Sequence, residues 1–139
     1  LGDVYKRQMW EYVGMGRTAE GLKKGIAELK EIRKEFETNL FIPGSKEGMN
    51  VELDKAIRLY DFITMGELVA YDALNRNESC GGHFREEYQT EEGEAKRDDE
   101  NFFYVACWEY QGDDEKAPVL YKEPLVYEAI KVQTRNYKS

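Results

Sequence analysis

Cys80 and His83 form a C-x-x-H in "NESCGGH", and their types could do two kinds of chemistry: ligate a metal, or pair a thiol nucleophile with an imidazole base. The ligand supply argues against metal. A closed zinc site takes four ligands, and the chain holds two Cys and one His, so carboxylates would have to complete an unusual set. A Cys nucleophile ordinarily draws its His from a distant part of the fold. The pair therefore reads as a structural or interface turn. Gly16-Arg17-Thr18-Ala19-Glu20-Gly21-Leu22-Lys23 has the glycine spacing of a phosphate loop. Leu22 stands where the phosphate-binding Lys belongs, no strand precedes it and no Ser or Thr follows, so it reads as a helix start. The acidic run Glu91, Glu92, Glu94, Asp98, Asp99 and Glu100 lacks the alternating oxygen register of a calcium loop and reads as a solvated loop. Phe102, Phe103, Tyr104, Trp108 and Tyr110 could line a ligand groove; at strand spacing their default is core or interface packing. No catalytic, cofactor-binding or metal-ligating residue is assigned.

The elements that must position these residues are mainly helical. Thr18 is a good N-cap, and from Ala19 to about Thr38 apolar residues recur at Leu22, Ile26, Leu29, Ile32 or Arg33, and Phe36 against a Lys/Glu face. Burying Leu22, Ile26, Leu29 and Phe36 contributes on the order of 8 kcal/mol as an upper bound, so this helix needs a partner. Pro43, Gly44, Ser45 and Gly48 make a loop, and Asn50 caps a second long helix through Leu53, Ile57, Tyr60 or Phe62, Ile63, Leu68, Tyr71 and Leu74. Its broader stripe predicts more than one neighbour, and the loop makes the two helices antiparallel. A shorter third element, Met9 to Met15, carries Trp10, Val13 and Met15 and is broken by Gly14 and Gly16.

Beyond Arg76 the periodicity stops. A turn and a charged stretch from Glu86 to Glu100 precede "FFYVACWEY", a strand from Phe102 to Tyr110, with turn signals at Gly112-Asp113 and Pro124. The expected fold is mainly α: an antiparallel helical bundle over 9–77. A turn, charged loop, short β-hairpin and extended irregular tail over 78–139 pack on it. The stretch from Val119 to Lys138 is apolar enough to need something to lie against.

Composition excludes several partners. A net charge of −8 on 139 residues and a pI near 4.8, with Lys and Arg dispersed among Glu, repel nucleic acid. No apolar run approaches the roughly 18–20 residues of a membrane span, and no signal peptide is legible. Two cysteines in a chain this long suit a reducing compartment. The chain begins at Leu1 rather than Met, as expected either of a piece cut from something longer or of a frame already open upstream. The run "LGDVYKRQ" resembles adapter sequence read as coding sequence, so residues 1–8 are expected to be a non-native lead-in, the alternative being an ordinary polar approach to the first helix.

"WEYVGMGRT" (10–18), "ESCGGHFREEYQT" (78–90), "RDDENF" (97–102) and "TRNY" (134–137) together resemble the C-terminal region of the flavoprotein subunit of succinate dehydrogenase and fumarate reductase. Glu78, Ser79, Gly81, His83 and Arg85 match the family form E-S-R-G-A-H-x-R, followed by Arg97, Asp98, Asp99 and Asn101. Cys80 stands where Arg is usual and Gly82 where Ala is usual, which suggests a particular bacterial branch. The resemblance implies a three-helix bundle packed against flavin-binding and capping domains that lie upstream of this segment and hold FAD and the dicarboxylate chemistry. It implies an iron-sulfur subunit carrying clusters, a membrane anchor reached indirectly, and a place on the cytoplasmic side of the bacterial inner membrane. It makes the parent an enzyme interconverting succinate and fumarate, and this segment alone non-catalytic. The turn from Glu78 to Arg85 and the loop from Arg97 to Asn101 are expected contact surfaces, with His83 and Arg85 pairing with Glu78 or Asp98. The alternatives are an L-aspartate oxidase-like flavoenzyme and a free-standing helical adaptor.

Overall fold

A computed structural model describes residues 1–112 and 116–133. Three helices run up, down and up: α1 (Gly2–Val13), α2 (Ala19–Asn39) and α3 (Val51–Asn75). A single helical turn, α4 (Asp99–Phe102), leads into an antiparallel hairpin of β1 (Tyr104–Glu109) and β2 (Val119–Pro124), with Trp108 opposite Leu120 and Val105 opposite Glu123.

Both long helices start where the caps predict. The Thr18 hydroxyl accepts from the Gly21 amide at 3.0 Å, and the Asn50 side chain accepts from the amides of Glu52 and Leu53. Leu22, Leu29 and Ile32 of α2 are buried, with Ile26 and Phe36 packed beside them. Arg33 is buried too, its guanidinium 2.7 Å from Glu67 of α3.

Two expectations need correction. The short helical element expected from Met9 is α1 and begins at Gly2, because Tyr5 continues the stripe of Met9, Tyr12 and Val13 one turn earlier: Tyr5 and Met9 pack on Leu29, Ile32 and Ile63. Of its expected apolar surface Val13 is buried, while Trp10 and Met15 stand in solvent. On α3 the inward face is Ile63, Gly66, Ala70 and Ala73, and Leu53, Ile57 and Phe62 are exposed. That face is made of small residues because α1 crosses it closely. A methyl group at Gly66 would lie 2.8 Å from the Tyr5 hydroxyl and 2.9 Å from the Met9 sulfur, and one at Gly25 of α2 would lie 2.9 Å from Cβ of Tyr12.

Phe102 does not open the strand as its sequence context suggests; it closes α4. The carboxylate of Asp98 accepts from the Asn101 amide and side chain, capping a turn that delays the strand to Tyr104. The inward residues of β1 are Tyr104, Ala106 and Trp108. Gly112 of the expected hairpin turn has φ +75°, whereas Asp113 and the "TRNY" segment lie outside the described residues. Among the described residues no helix is long and apolar enough to cross a membrane.

Candidate functional site

The turn from Glu78 to Arg85 closes the end of the bundle where α3 stops. An α-helix leaves its last carbonyls without intrahelical donors and its C-terminus partly negative, and α3 has no basic residue in its own last turn. The turn supplies the missing cations. Arg85, 2% exposed, donates through Nη1 to the carbonyls of Ala73 (2.9 Å) and Leu74 (3.3 Å), and through Nε to Glu87 at 3.1 Å. Glu87 in turn accepts from the Ala19 amide at 2.5 Å, tying the start of α2 to the end of α3.

The turn holds its own shape. Cys80 and His83 exchange backbone hydrogen bonds of 2.8 and 3.0 Å across Gly81, whose φ of +59° favours glycine. Ser79, fully buried, accepts from the Arg85 amide through its hydroxyl at 2.8 Å and donates to the Arg85 carbonyl at 3.1 Å.

His83 bridges the α1–α2 connection to the end of α3. Its Nδ1 lies 3.0 Å from Nη1 of Arg17, and its Nε2 lies 2.9 Å from the Arg76 carbonyl. A guanidinium only donates and a carbonyl only accepts, so Nδ1 accepts, Nε2 carries the proton and the ring is neutral. Burial holds its pKa below the ordinary imidazole value; the Arg17, Arg85 and Arg76 charges push the same way, against the hydrogen bond to the Arg76 carbonyl. Arg17 also donates to the carbonyls of Val13 and Gly14 at the end of α1, and its backbone pairs with Phe84 and Glu86. Burial lowers the Arg17 pKa, and the Asp72 charge opposes the shift.

The second predicted segment joins through Glu78. One oxygen of this buried carboxylate accepts from Arg76 Nη1 at 2.8 Å and the other from the Asp98 amide at 2.9 Å. Arg76 then donates to the carbonyls of Phe102 and Tyr104, both at 3.1 Å, with its guanidinium 5.1 Å from the centre of the Tyr104 ring. Trp108 adds a further tie, its indole N–H donating to Asp72 at 2.7 Å. Arg97 grips Asp99 and reaches the Gln133 carbonyl, holding the described tail.

Glu78, Ser79, His83, Arg85 and Asp98 thus come together, while Asp99 and Asn101 lie on the exposed rim beside a half-buried Arg97. The expected pairing is corrected: neither His83 nor Arg85 meets Glu78 or Asp98. Helix-end carbonyls and Glu87 take Arg85; Arg17 and the Arg76 carbonyl take His83. Arg17, Arg76 and Asp72 belong to the site without standing out in the sequence. Of the three, Arg76 has a local signal, since it directly follows the last periodic turn of α3.

Both ring nitrogens of His83 are engaged, so neither serves Cys80 as a base. Among the described residues no cluster of three or more His, Cys, Asp or Glu could hold a metal ion. Nor do they fit a flavin: the one described sheet is a two-stranded antiparallel hairpin, without the strand-to-helix Gly-rich turn that cradles a dinucleotide. The arrangement is a clamp that fixes the turn and the hairpin to the end of the bundle.

Residues 4–137 match the family described as fumarate reductase flavoprotein C-term. The fumarate reductase flavoprotein subunit of Proteus vulgaris is 35% identical over 102 residues, 73% of this chain and 16% of that protein. The chloroplastic L-aspartate oxidase of Oryza sativa subsp. japonica is 38% identical over 90 residues, 64% of this chain and 13% of that one. Among solved structures, an E. coli quinol fumarate reductase variant superposes with a TM-score of 0.77 at 24% identity over 96% of this chain and 22% of that one, a likeness of fold. The chain therefore spans a minor part of the proteins it matches.

Proposed function

This chain belongs to the fumarate reductase flavoprotein C-terminal family, and on that premise we propose that it is the non-catalytic helical end of an FAD-dependent subunit interconverting succinate and fumarate. The parent's flavin-binding and capping domains hold the FAD and the dicarboxylate. Electrons leave for an iron-sulfur subunit, which carries the clusters and reaches a membrane anchor on the cytoplasmic side of a bacterial inner membrane. In this reading residues 9–77 form the bundle, which α1 extends back to Gly2, and 78–139 strap it.

The observation that supports it best is the Glu78–Arg85 turn. Its Arg and His side chains satisfy the carbonyls of α3 and reach the end of α1, so the tail is held at a set position on the bundle. Such a rigid body suits buttressing a larger domain, and reacting groups elsewhere benefit when their scaffold does not shift.

A second reading, an L-aspartate oxidase-like parent, draws on the rice relative. Reading the source DNA upstream of Met9 tests the proposal. A frame that continues for several hundred codons and carries a strand-associated G-x-G-x-x-G supports it; a stop codon and ribosome-binding site just before Met9 overturn it in favour of a free-standing adaptor. Assaying the completed subunit with succinate and with L-aspartate then separates the two flavoenzyme readings.

A further inference from the structure

The two long helices differ in what they leave in water. Among the described residues no large exposed apolar side chain lies on α2, whose outer face carries Lys23, Glu31, Lys34 and Glu35. On α3, Phe62 (56% exposed), Met65 (56%) and Val69 (41%) follow i, i+3, i+7 and make one face, beside the one that Ile63, Gly66 and Ala70 turn towards the core. The band continues at both ends. Val69 shares a shallow groove with Val105 of β1, and Phe62 shares another with Phe41 and Ile42. A helix face that leaves three large apolar side chains in water marks an interface.

We propose that the Phe62–Met65–Val69 face of α3 is the surface on which the upstream, flavin-binding part of the parent subunit seats, with α2 turned outward to solvent. The inference rests on the reading of the chain as the end of such a subunit. The occupant follows from proportion and polarity: the matched family is a C-terminal one, most of the related chain lies beyond the match, and α2 leaves no large apolar side chain in water where α3 offers apolar surface.

The test places Met65→Glu and Val69→Lys, with Ala27→Glu on the exposed face of α2 as control, in both the 139-residue chain and the complete flavin-loaded parent. Side chains already in water should leave the melting midpoint of the isolated chain unchanged. In the parent, both α3 variants should speed limited proteolysis by about tenfold, since cleavage tracks the population of the opened form, while Ala27→Glu should not. Equal resistance of all three parent variants overturns the proposal. So does a lowered midpoint of the isolated chain in both α3 variants, which would assign those side chains to its own core. If the isolated chain dimerises through this face and the parent tolerates the changes, the occupant is a second copy and the proposal fails. A parent that carries no flavin at all, or oxidises neither succinate nor L-aspartate, sinks the reading of function instead, and the proteolysis of the α3 variants still judges the face.

Discussion

Protonating His83 removes the acceptor that Arg17 uses and adds a further positive charge to a site already ringed by the Arg17, Arg76 and Arg85 guanidiniums, with Asp72 and Glu78 the nearby carboxylates. Because burial and these cations hold the folded pKa below the ordinary value of 6.5, the unfolded chain takes the proton first. The contribution of His83 to stability is therefore full above pH 6.5 and is lost as pH falls through the lowered folded value. Urea midpoints between about pH 7.5 and 5 should drop in the wild type, and the part of that drop due to His83 should vanish in His83→Gln. An unchanged pH profile in the variant would remove the imidazole from the account. Glu78 is a stronger test of the clamp. Its carboxylate is buried between Arg76 and the Asp98 amide, so Glu78→Ala should cost about 3 kcal/mol in chemical denaturation, chiefly by stranding the guanidinium. Part of this site is legible in the sequence alone: Glu78, Ser79, His83 and Arg85 are side chains with a recognisable spacing. Arg17 is not, because its partner lies 66 residues away and nothing local distinguishes it from any other surface Arg.

At the scale of the helices, the closeness of α1 rests on two glycines that are not equivalent. A methyl group at Gly25 would meet Cβ of Tyr12, which is fixed to the α1 backbone, while one at Gly66 would meet the far ends of Tyr5 and Met9, which can swing aside. Gly25→Ala should lower stability by about 2 kcal/mol through overpacking. Gly66→Ala should be near neutral, the gain in helix propensity of about 1 kcal/mol offsetting the crowding. Matching thermal midpoints for the two variants would show that α1 can move as a whole. Both long helices are legible because Thr18 and Asn50 cap regular stripes. The inward face of α3 is not, because a broad apolar stripe does not declare which part of it packs, and the small residues that settle it, Gly66, Ala70 and Ala73, carry little hydrophobic signal. The start of α4 escapes for a different reason: one turn is too short for periodicity, and only the Asp98 to Asn101 cap marks it.

Among the described residues, the bundle has two adjoining core clusters and the hairpin none of its own. The hairpin is held by Trp108 on Asp72 and Tyr71, by Arg76 on the carbonyls of Phe102 and Tyr104, and by its own ladder. Regions with few buried apolar contacts open first, so amide exchange should release β1 and β2 well before the centres of α2 and α3. Uniform protection across both would mean that the hairpin and bundle unfold as one unit. An overall plan of helices followed by a hairpin can be read from the sequence because each element carries its own periodicity and turn residues. The face a neighbour would cover cannot, since it emerges only once α1 and α2 have taken theirs.

Arg76 also gives the chain a mechanical grading. A pull on β2 would unzip the ladder one rung at a time at low load, whereas the next barrier, the guanidinium gripping two carbonyls and a buried carboxylate, yields only when several bonds break together. Traction from the C-terminal side should thus be absorbed in the hairpin as a small early extension, and the joint between α3 and the Glu78–Arg85 turn should act as the stop that spares the bundle.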